Sequence, residues 1–200
     1  MDGDDAGKQL FPDAEWFALW QTGALARFLP KRGQRGDPAP VLEVHHHDKD
    51  GARAIGLMLL AIEGWNDIQV RRQVLQNIGI KWATEGWQVL ALVFASCAWA
   101  RAFTPAERAA RGNRLVETYD DKREVMMVQG STLDNRMACA QAEILRDKVG
   151  RVRATTPWDV RHQGQMWHLD FATLDVAWEA YVRTVHAMQG GMPDLSEVHC

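Results

Sequence analysis

The stretch that most limits the fold is residues 87–98, WQVLALVFASCA, because it is apolar at both odd and even positions. Side chains alternate between the two faces of a β-strand, so a strand of this kind needs cover on both faces. The run is too short to cross a bilayer. We therefore expect a central strand between other layers, and a chain of 200 residues is long enough to supply them.

Two strands joined by a tight turn are predicted before this central strand. Residues 41–47, VLEVHHH, are sufficiently β-branched for the first strand, and residues 48–51, DKDG, are typical of a hairpin turn because a glycine there supplies positive φ. Residues 52–62 return as the second strand, which is continuously apolar after Arg53, as expected for a strand buried on both faces. A helix is the alternative for residues 52–62, but Gly56 and the preceding turn favour the strand.

A helix is predicted between the hairpin and the central strand. Asp67 stands at its start, and Gly86 stands where a C-terminal glycine cap belongs. The apolar residues between them recur at helical spacing: Val70, Val74, Leu75, Ile78 and Trp82. A strand, a helix and a strand with short joints indicate a right-handed crossover between parallel neighbouring strands.

The second half of the chain alternates strand patterns with turns. Residues 123–131, 136–146 and 151–155 are predicted as three strands, and their short connections indicate an antiparallel meander. Pro157 ends this sheet. Residues 157–170 are predicted to form a loop rich in tryptophan and histidine.

Helices are predicted near both ends of the chain. Asp13 can cap a helix that runs to about residue 29, and residues 30–40 are rich in proline, glycine and charge, which is typical of a linker. This first helix is a candidate appendage that docks on the body or on another subunit. The final helix is predicted from a regular apolar stripe: Leu174, Trp178, Tyr181, Val185 and Met188.

These elements predict an α+β fold with a mixed sheet of about six strands. The sheet is formed by the hairpin, the central strand after the crossover helix and the antiparallel meander, with the N- and C-terminal helices packed on it. Residues 1–40 are predicted to form an acidic N-terminus, a helix and a linker. Residues 41–189 are predicted to form a single domain that ends in an amphipathic helix, and residues 190–200 a flexible tail.

Charge and cysteine usage narrow the classes of function. The formal net charge is −3, so no extensive nucleic-acid surface is expected, and a basic stretch at residues 27–35 leaves nucleic-acid binding as a third hypothesis. The three cysteines show no CxxC spacing, which fits a reducing compartment. The acidic N-terminal residues are unlike a signal peptide. We therefore expect a cytoplasmic protein without a membrane association.

The three consecutive histidines raise the question of a metal site. On a strand, His45 and His47 share one face with Glu43, and the apolar residues of the other face predict that this face is the wetter one. Two imidazoles at this spacing can bind one divalent ion, with Asp48, Asp50, His162 and His168 as alternative candidates for the third ligand. The HxHxDH pattern of metallo-hydrolases is not present, because Lys49 and Asp50 stand where it needs aspartate and histidine. A polar strand end at a hairpin is the favoured interpretation.

A second cluster is a candidate ligand-binding site. Trp158, His162, Trp167 and His168 lie in the predicted loop after the meander, and loops beside a sheet often carry binding residues. The alternative is a loop that its tryptophans pin to the core.

Two hypotheses about function follow from the sequence. The first is a non-catalytic protein-binding or assembly module without a cofactor, which binds a protein partner or a second copy. It rests on nine tryptophans, several on amphipathic terminal helices, and on the lack of a P-loop, GxGxxG or GxSxG motif. The second is a small metal-dependent hydrolase that uses His45 and His47. Whether the protein is an enzyme stays open at this point.

Overall fold

The computed structural model describes residues 11–65, 67–112, 116–162 and 172–190. The strands are β1 (Val41–His47), β2 (Arg53–Leu59), β3 (Gln88–Ala100), β4 (Arg123–Thr132), β5 (Met137–Arg146), β6 (Val152–Thr155) and β7 (Asp159–His162). The helices are α1 (Asp13–Leu19), α2 (Thr22–Leu25), α3 (Ile68–Thr84), α4 (Pro105–Arg111) and α5 (Ala172–Met188), and 3₁₀ turns follow α2 at Ala26–Phe28 and α4 at Val116–Thr118. Trp167, His168 and the predicted tail at 191–200 lie outside the described residues.

The strands form one seven-stranded sheet in the order β2-β1-β3-β4-β5-β6, and β7 also pairs with β5. All pairings between the described strands are antiparallel. A curled antiparallel sheet with helices packed on it fits the α+β class predicted from the sequence. None of the described helices is both long and apolar enough to span a membrane.

The prediction of a mixed sheet with parallel neighbours is wrong. The hairpin leaves one side of β1 open, and β3 pairs there, antiparallel to β1. Strands β2 and β3 therefore run in the same direction, but β1 lies between them. Helix α3 connects β2 to β3 across β1, so it does not join adjacent strands.

Strand β3 is buried on both faces over most of its length, as its sequence predicts. The shift in register between β1 and β3 at His45 and His46 leaves Leu90 as the extra residue of a β-bulge. As a result, Leu90 and Ala91 both point into the core on one face, whereas Val89 and Leu92 lie in the core on the other.

The core between the sheet and the N-terminal segment contains the tryptophans of α1 and its C-cap. Its buried residues are Phe11, Trp16, Trp20, Leu25, Phe28, Leu90, Ala91, Val93, Ala95, Met126, Val128, Ala138, Ala140, Ile144 and Val152. Gly130 of β4 lies beneath the indole rings of Trp16 and Trp20. A Cβ at Gly130 would lie 2.6 Å from the ring of Trp20 and 3.1 Å from that of Trp16, so the two rings pack directly on the backbone of β4.

The single helix predicted from residue 13 to about residue 29 is broken in the structure. Helix α1 ends at Leu19, Gln21 is extended (φ −69°, ψ 141°), and α2 begins at Thr22. The break changes the direction of the chain, so that Leu25, which follows it, is buried along with Trp20. Pro12, rather than Asp13, stands at the N-cap, and no side chain caps this helix.

Helices α3 and α5 cover the other face of the sheet. Their core contains Leu42, Val44, Leu60, Leu75, Trp82, Ala83, Val89, Leu92, Phe94, Leu174, Val176, Ala177, Trp178 and Tyr181. Trp178 and Tyr181 hold α5 on the sheet through hydrogen bonds. Trp178 Nε1 donates to Ser131 Oγ at 2.7 Å, and the Tyr181 hydroxyl donates to the Trp87 carbonyl at 2.8 Å and accepts from the Val89 N–H at 3.1 Å. The Asp67 side chain caps α3 by accepting from the Gln69 N–H.

The two helices approach each other most closely at Gly79. A Cβ there would lie 2.4 Å from the Ala177 carbonyl oxygen, which is backbone and cannot turn away. We predict that Gly79→Ala lowers the free energy of unfolding by about 1 to 2 kcal/mol in urea titrations, because overpacking outweighs the roughly 1 kcal/mol by which alanine favours a helix.

Gly23→Ala in α2 is the matched control, since no atom lies within 4 Å of the added methyl group. We expect it to leave stability unchanged or to raise it by up to about 1 kcal/mol. Equal effects of the two substitutions would contradict the close helix contact.

Candidate functional site

His45 lies in the core, although the sequence predicts that its face is the wetter one. Glu43 and His45 are 4% and 3% exposed, and the ring of Phe11 meets the imidazole edge-on at 5.4 Å between centroids. The prediction fails because the N-terminal segment covers this face of β1. A pattern within β1 alone contains no information about that cover.

Glu43, His45 and Arg27 form a buried polar cluster. The Arg27 guanidinium donates to both carboxylate oxygens of Glu43, at 3.1 and 3.0 Å, and His45 Nε2 lies 2.7 Å from one of them. Burial by itself raises the pKa of Glu43, but the hydrogen bonds from His45 and Arg27 outweigh it and hold that pKa below its ordinary value. An ionised carboxylate only accepts, so His45 Nε2 carries the proton between them.

His46 points to the opposite face and stacks on Trp87. The planes of the two rings differ by 3°, and their centroids are 3.9 Å apart. Trp82 extends the stack, with its ring centroid 6.4 Å from that of Trp87. His46 Nδ1 is buried and has no hydrogen-bond partner in the part of the chain that the structure describes. The imidazole acts here as an aromatic packing surface.

The proposed metal ligands are not gathered at one point. His45 is committed to Glu43, whereas His47 Nδ1 lies 3.2 Å from Gln88 Oε1 and Asp50 lies in the turn, where its N–H donates to the Asp48 carboxylate. Among the described residues, the ligand atoms of these three do not come within reach of one ion. The hydrolase hypothesis therefore gains no support from this geometry.

One other group of ligating side chains is close enough to hold an ion among the residues described: Asp37, Cys97 and Glu124. Arg146 already binds its carboxylates, with Nη2 2.8 Å from Asp37 and Nε 2.6 Å from Glu124. Burial, followed by the charges of Asp37 and Glu124, raises the pKa of the Cys97 thiol to about 12. Both carboxylates of this group are already engaged in ion pairs with Arg146.

Trp158 precedes β7 and His162 is its last residue, and this short strand is not predicted from the sequence. Residues 157–170 are predicted as loop, but Asp159–His162 forms β7 on β5, so this part of the prediction is wrong. Trp158 packs on the N-terminal core, and the ring of Phe17 lies 5.3 Å from that of His162. Trp158 Nε1 and His162 Nδ1 are buried, and no described residue forms a hydrogen bond with either atom. Both side chains therefore contribute to packing on this face, and their role as ligand-binding residues stays a prediction.

An open cleft lies between the C-terminal ends of α3 and α5 and the start of β3. Its volume is about 640 Å³, and its lining includes Trp87, Tyr181, Val185 and His186. Both hydrogen-bonding functions of the Tyr181 hydroxyl are used inside the fold, since it also accepts from the Val89 N–H at 3.1 Å. The cleft is mainly an apolar surface.

Strand β2 is exposed in a way that the sequence analysis did not predict. Residues 52–62 are predicted to be buried on both faces, but Ile55, Leu57 and Leu59 are 62%, 61% and 67% exposed. Only the other face is covered, where Gly56 lies against the ring of Trp87. The prediction is wrong because β2 is the edge strand. From residue 11 onward, the N-terminal segment contacts it at Arg53, through Glu15 and Phe11.

The opposite edge of the sheet is protected by the chain itself. The Gly33 N–H donates to the Val152 carbonyl at 2.8 Å, the Val152 N–H donates to the Gln34 carbonyl at 2.9 Å, and Arg35 bridges to Arg151. The predicted linker at residues 30–40 thus pairs with β6. No described segment does the same for β2.

The edge of β2 is the candidate functional site, because no other described residue pairs with its outer backbone groups. Comparisons of the chain with protein-family models, with curated proteins and with solved structures find no match. The site is therefore defined by the geometry of β2: a row of exposed apolar side chains beside an unpaired backbone edge.

The Glu43 cluster leads to a prediction about stability and pH. We expect Glu43→Gln to lower the free energy of unfolding at pH 7 by about 2 to 3 kcal/mol, because it removes charge-assisted hydrogen bonds in the core. The folded-state pKa of Glu43 is lowered, so its contribution is full above the ordinary pKa of 4.5 and is lost as the pH falls through the lower value. The difference between the two proteins in urea titrations should therefore be smaller at pH 3 than at pH 7.

Glu85→Gln is the control for this change. Glu85 is exposed and lies 3.8 Å from Lys81, so its removal should change stability by less than about 0.5 kcal/mol at either pH. A Glu43→Gln difference that stays the same from pH 7 to pH 3 would show that the carboxylate charge does not stabilise the fold.

Proposed function

We propose that the protein is a non-catalytic assembly module that binds a protein chain at the open edge of β2. The observation that carries this proposal is the exposed row of Ile55, Leu57 and Leu59 on an edge strand. Addition of a strand to a sheet edge is a common mode of protein recognition, in which backbone hydrogen bonds supply affinity and alternate side chains supply specificity. Strand β2 offers both.

The backbone of β2 supports this mode of binding. At the ends of the β1–β2 ladder, the Leu60 N–H donates to the Pro40 carbonyl and the Asp48 N–H donates to the Ala52 carbonyl. Bonded pairs recur at every second residue of an antiparallel ladder, so the even-numbered residues of β2 bond to β1. The odd-numbered residues, Ile55 among them, direct their N–H and C=O groups away from the sheet.

The composition of β2 also favours association. Proteins usually protect an edge strand with lysine, proline, a bulge or a covering segment. Residues 54–62, AIGLMLLAI, contain neither a charge nor a proline. An edge of this kind is poorly suited to permanent exposure to water. A partner strand covers its apolar side chains and forms hydrogen bonds with its outer N–H and C=O groups.

The surface proposed for assembly is not the one expected from the sequence, which points to the tryptophans of the terminal helices. The tryptophans of the terminal helices, Trp16, Trp20 and Trp178, are buried against the protein's own sheet. They are not free to bury themselves on a partner. The assembly hypothesis is retained because β2, rather than a terminal helix, offers the apolar surface.

A photocrosslinking experiment tests this function. We expect a photoreactive phenylalanine analogue at position 57 to give a discrete covalent adduct in the cells that make the protein, because a bound strand would lie directly beside it. The adduct is detected by gel shift and identified by mass spectrometry, and it contains either a second copy or another protein.

The same analogue at position 149 is the control, since Val149 is 64% exposed but lies in the turn between β5 and β6. It should give no discrete adduct. If position 57 also gives none, or if both positions give the same products, the edge of β2 does not bind a protein chain.

A further inference from the structure

We propose that the chain bound at this edge is a second copy, whose β2 pairs antiparallel with the first around a two-fold axis through Gly56. This inference rests on the proposed function, because it names the partner for the same edge. The resulting dimer has one continuous sheet that runs through both copies.

The two-fold register follows from the groups that β2 leaves unpaired. Strand β2 spans Arg53–Leu59, and Gly56 is its midpoint. With the axis there, Ile55 of one copy is opposite Leu57 of the other, and Arg53 is opposite Leu59. These are all odd-numbered residues, whose N–H and C=O groups point away from β1, so each opposed pair forms the two hydrogen bonds of an antiparallel ladder. No outward-facing group of the strand is left over.

The side chains are compatible with the same register. Ile55 and Leu57 form apolar cross-strand pairs on both sides of the axis, which is a favourable arrangement in antiparallel sheets. The two Arg53 side chains lie at opposite ends of the paired strands, about 20 Å apart at 3.3 Å per residue, so their repulsion is largely screened at physiological salt. Each Arg53 is also paired with Glu15 of its own chain.

The other edge of the sheet explains why a dimer forms rather than a filament. Residues 33–35 pair with β6, and the neighbouring strand β7 has four residues, of which Asp159 and Arg161 are charged. Short, charged or covered edges resist pairing. Each copy therefore offers one suitable edge, and a two-fold contact between identical edges is closed.

The size of the contact sets the expected affinity. A pair of seven-residue strands with three apolar side chains on each copy is smaller than a standard interface, which buries about 800 Å² on each partner. The dimer is therefore expected to dissociate on dilution within the micromolar range. Its dissociation constant is measured by sedimentation velocity over a series of protein concentrations.

The first test compares two substitutions of similarly exposed apolar residues. Leu57→Lys should weaken the dimer at least tenfold, because it brings a charge into the centre of the pair. Val149→Lys adds the same charge in the β5–β6 turn and should change the dissociation constant by less than twofold. Both proteins carry Cys200→Ser, so that the C-terminal cysteine cannot link two chains, and equal thermal midpoints show that both are folded.

The second test examines the register. Opposed residues of a bonded pair lie about 5.5 Å apart between Cα atoms, within the range of a disulfide. A mixture of Ile55→Cys and Leu57→Cys proteins, treated with oxidised glutathione, should form the mixed dimer at least fivefold faster than either protein forms its own. Faster self-linkage of Leu57→Cys would place the axis at Leu57 and would overturn the register proposed here.

The outcomes separate this inference from the function on which it rests. A monomer at all concentrations, together with a position-57 adduct that contains another protein, would overturn the second copy and leave assembly through β2 intact. A monomer without any adduct at position 57 would overturn both. Loss of the dimer in Val149→Lys and not in Leu57→Lys would place the contact elsewhere on the molecule.

Discussion

The layers of this protein are arranged around β3, a strand that is apolar on both faces and must be shielded from water on both. Helices α3 and α5 shield one face, and the N-terminal segment shields the other. The β-bulge at Leu90 turns two consecutive side chains toward the same core, which fills the space beneath the N-terminal segment. The segments that cover β3 on its two faces bury fewer side chains at β2, the edge strand. Strand β2, two positions away, has one covered face and one exposed face.

How much was predictable from the sequence depends on whether a feature is decided locally or by distant cover. The hairpin turn at Gly51, the cap at Asp67 and the helical stripe of α5 are set by neighbouring residues, and the structure contains each of these elements. The break at Gln21, the burial of His45 and the edge position of β2 depend on which segments pack over them. A continuous apolar run such as residues 54–62 is the same pattern for a central strand and for an edge strand that associates. The only signal for the edge is the lack of charge in that run, and it is informative only once β2 is known to be an edge.

The Glu43 cluster joins a locally predictable strand, β1, to the distant segment that covers it. Arg27 belongs to the N-terminal segment, whereas Glu43 and His45 belong to β1, so their hydrogen bonds fix how that segment sits on the sheet. Burying a carboxylate is costly unless its partners are well placed, and here two donors meet it. Strand β1 in turn supports β2 along its whole length. The N-terminal segment thus stabilises β1, the strand that supports the candidate edge, and its described part also contacts β2 at Arg53.

The polar groups with shifted pKa values also bear on the class of function. Catalytic sites usually place such groups in a cleft, where a substrate can reach them. In the part of the chain described, Glu43 is hydrogen-bonded to Arg27 and His45, and Cys97 lies beside carboxylates bound to Arg146. The pKa of Glu107 is lowered by its helix cap at Thr104 and by Arg101. Each of these groups is engaged in holding the fold together. Among the described residues, β2 instead presents exposed apolar side chains beside a backbone edge that has no neighbouring strand.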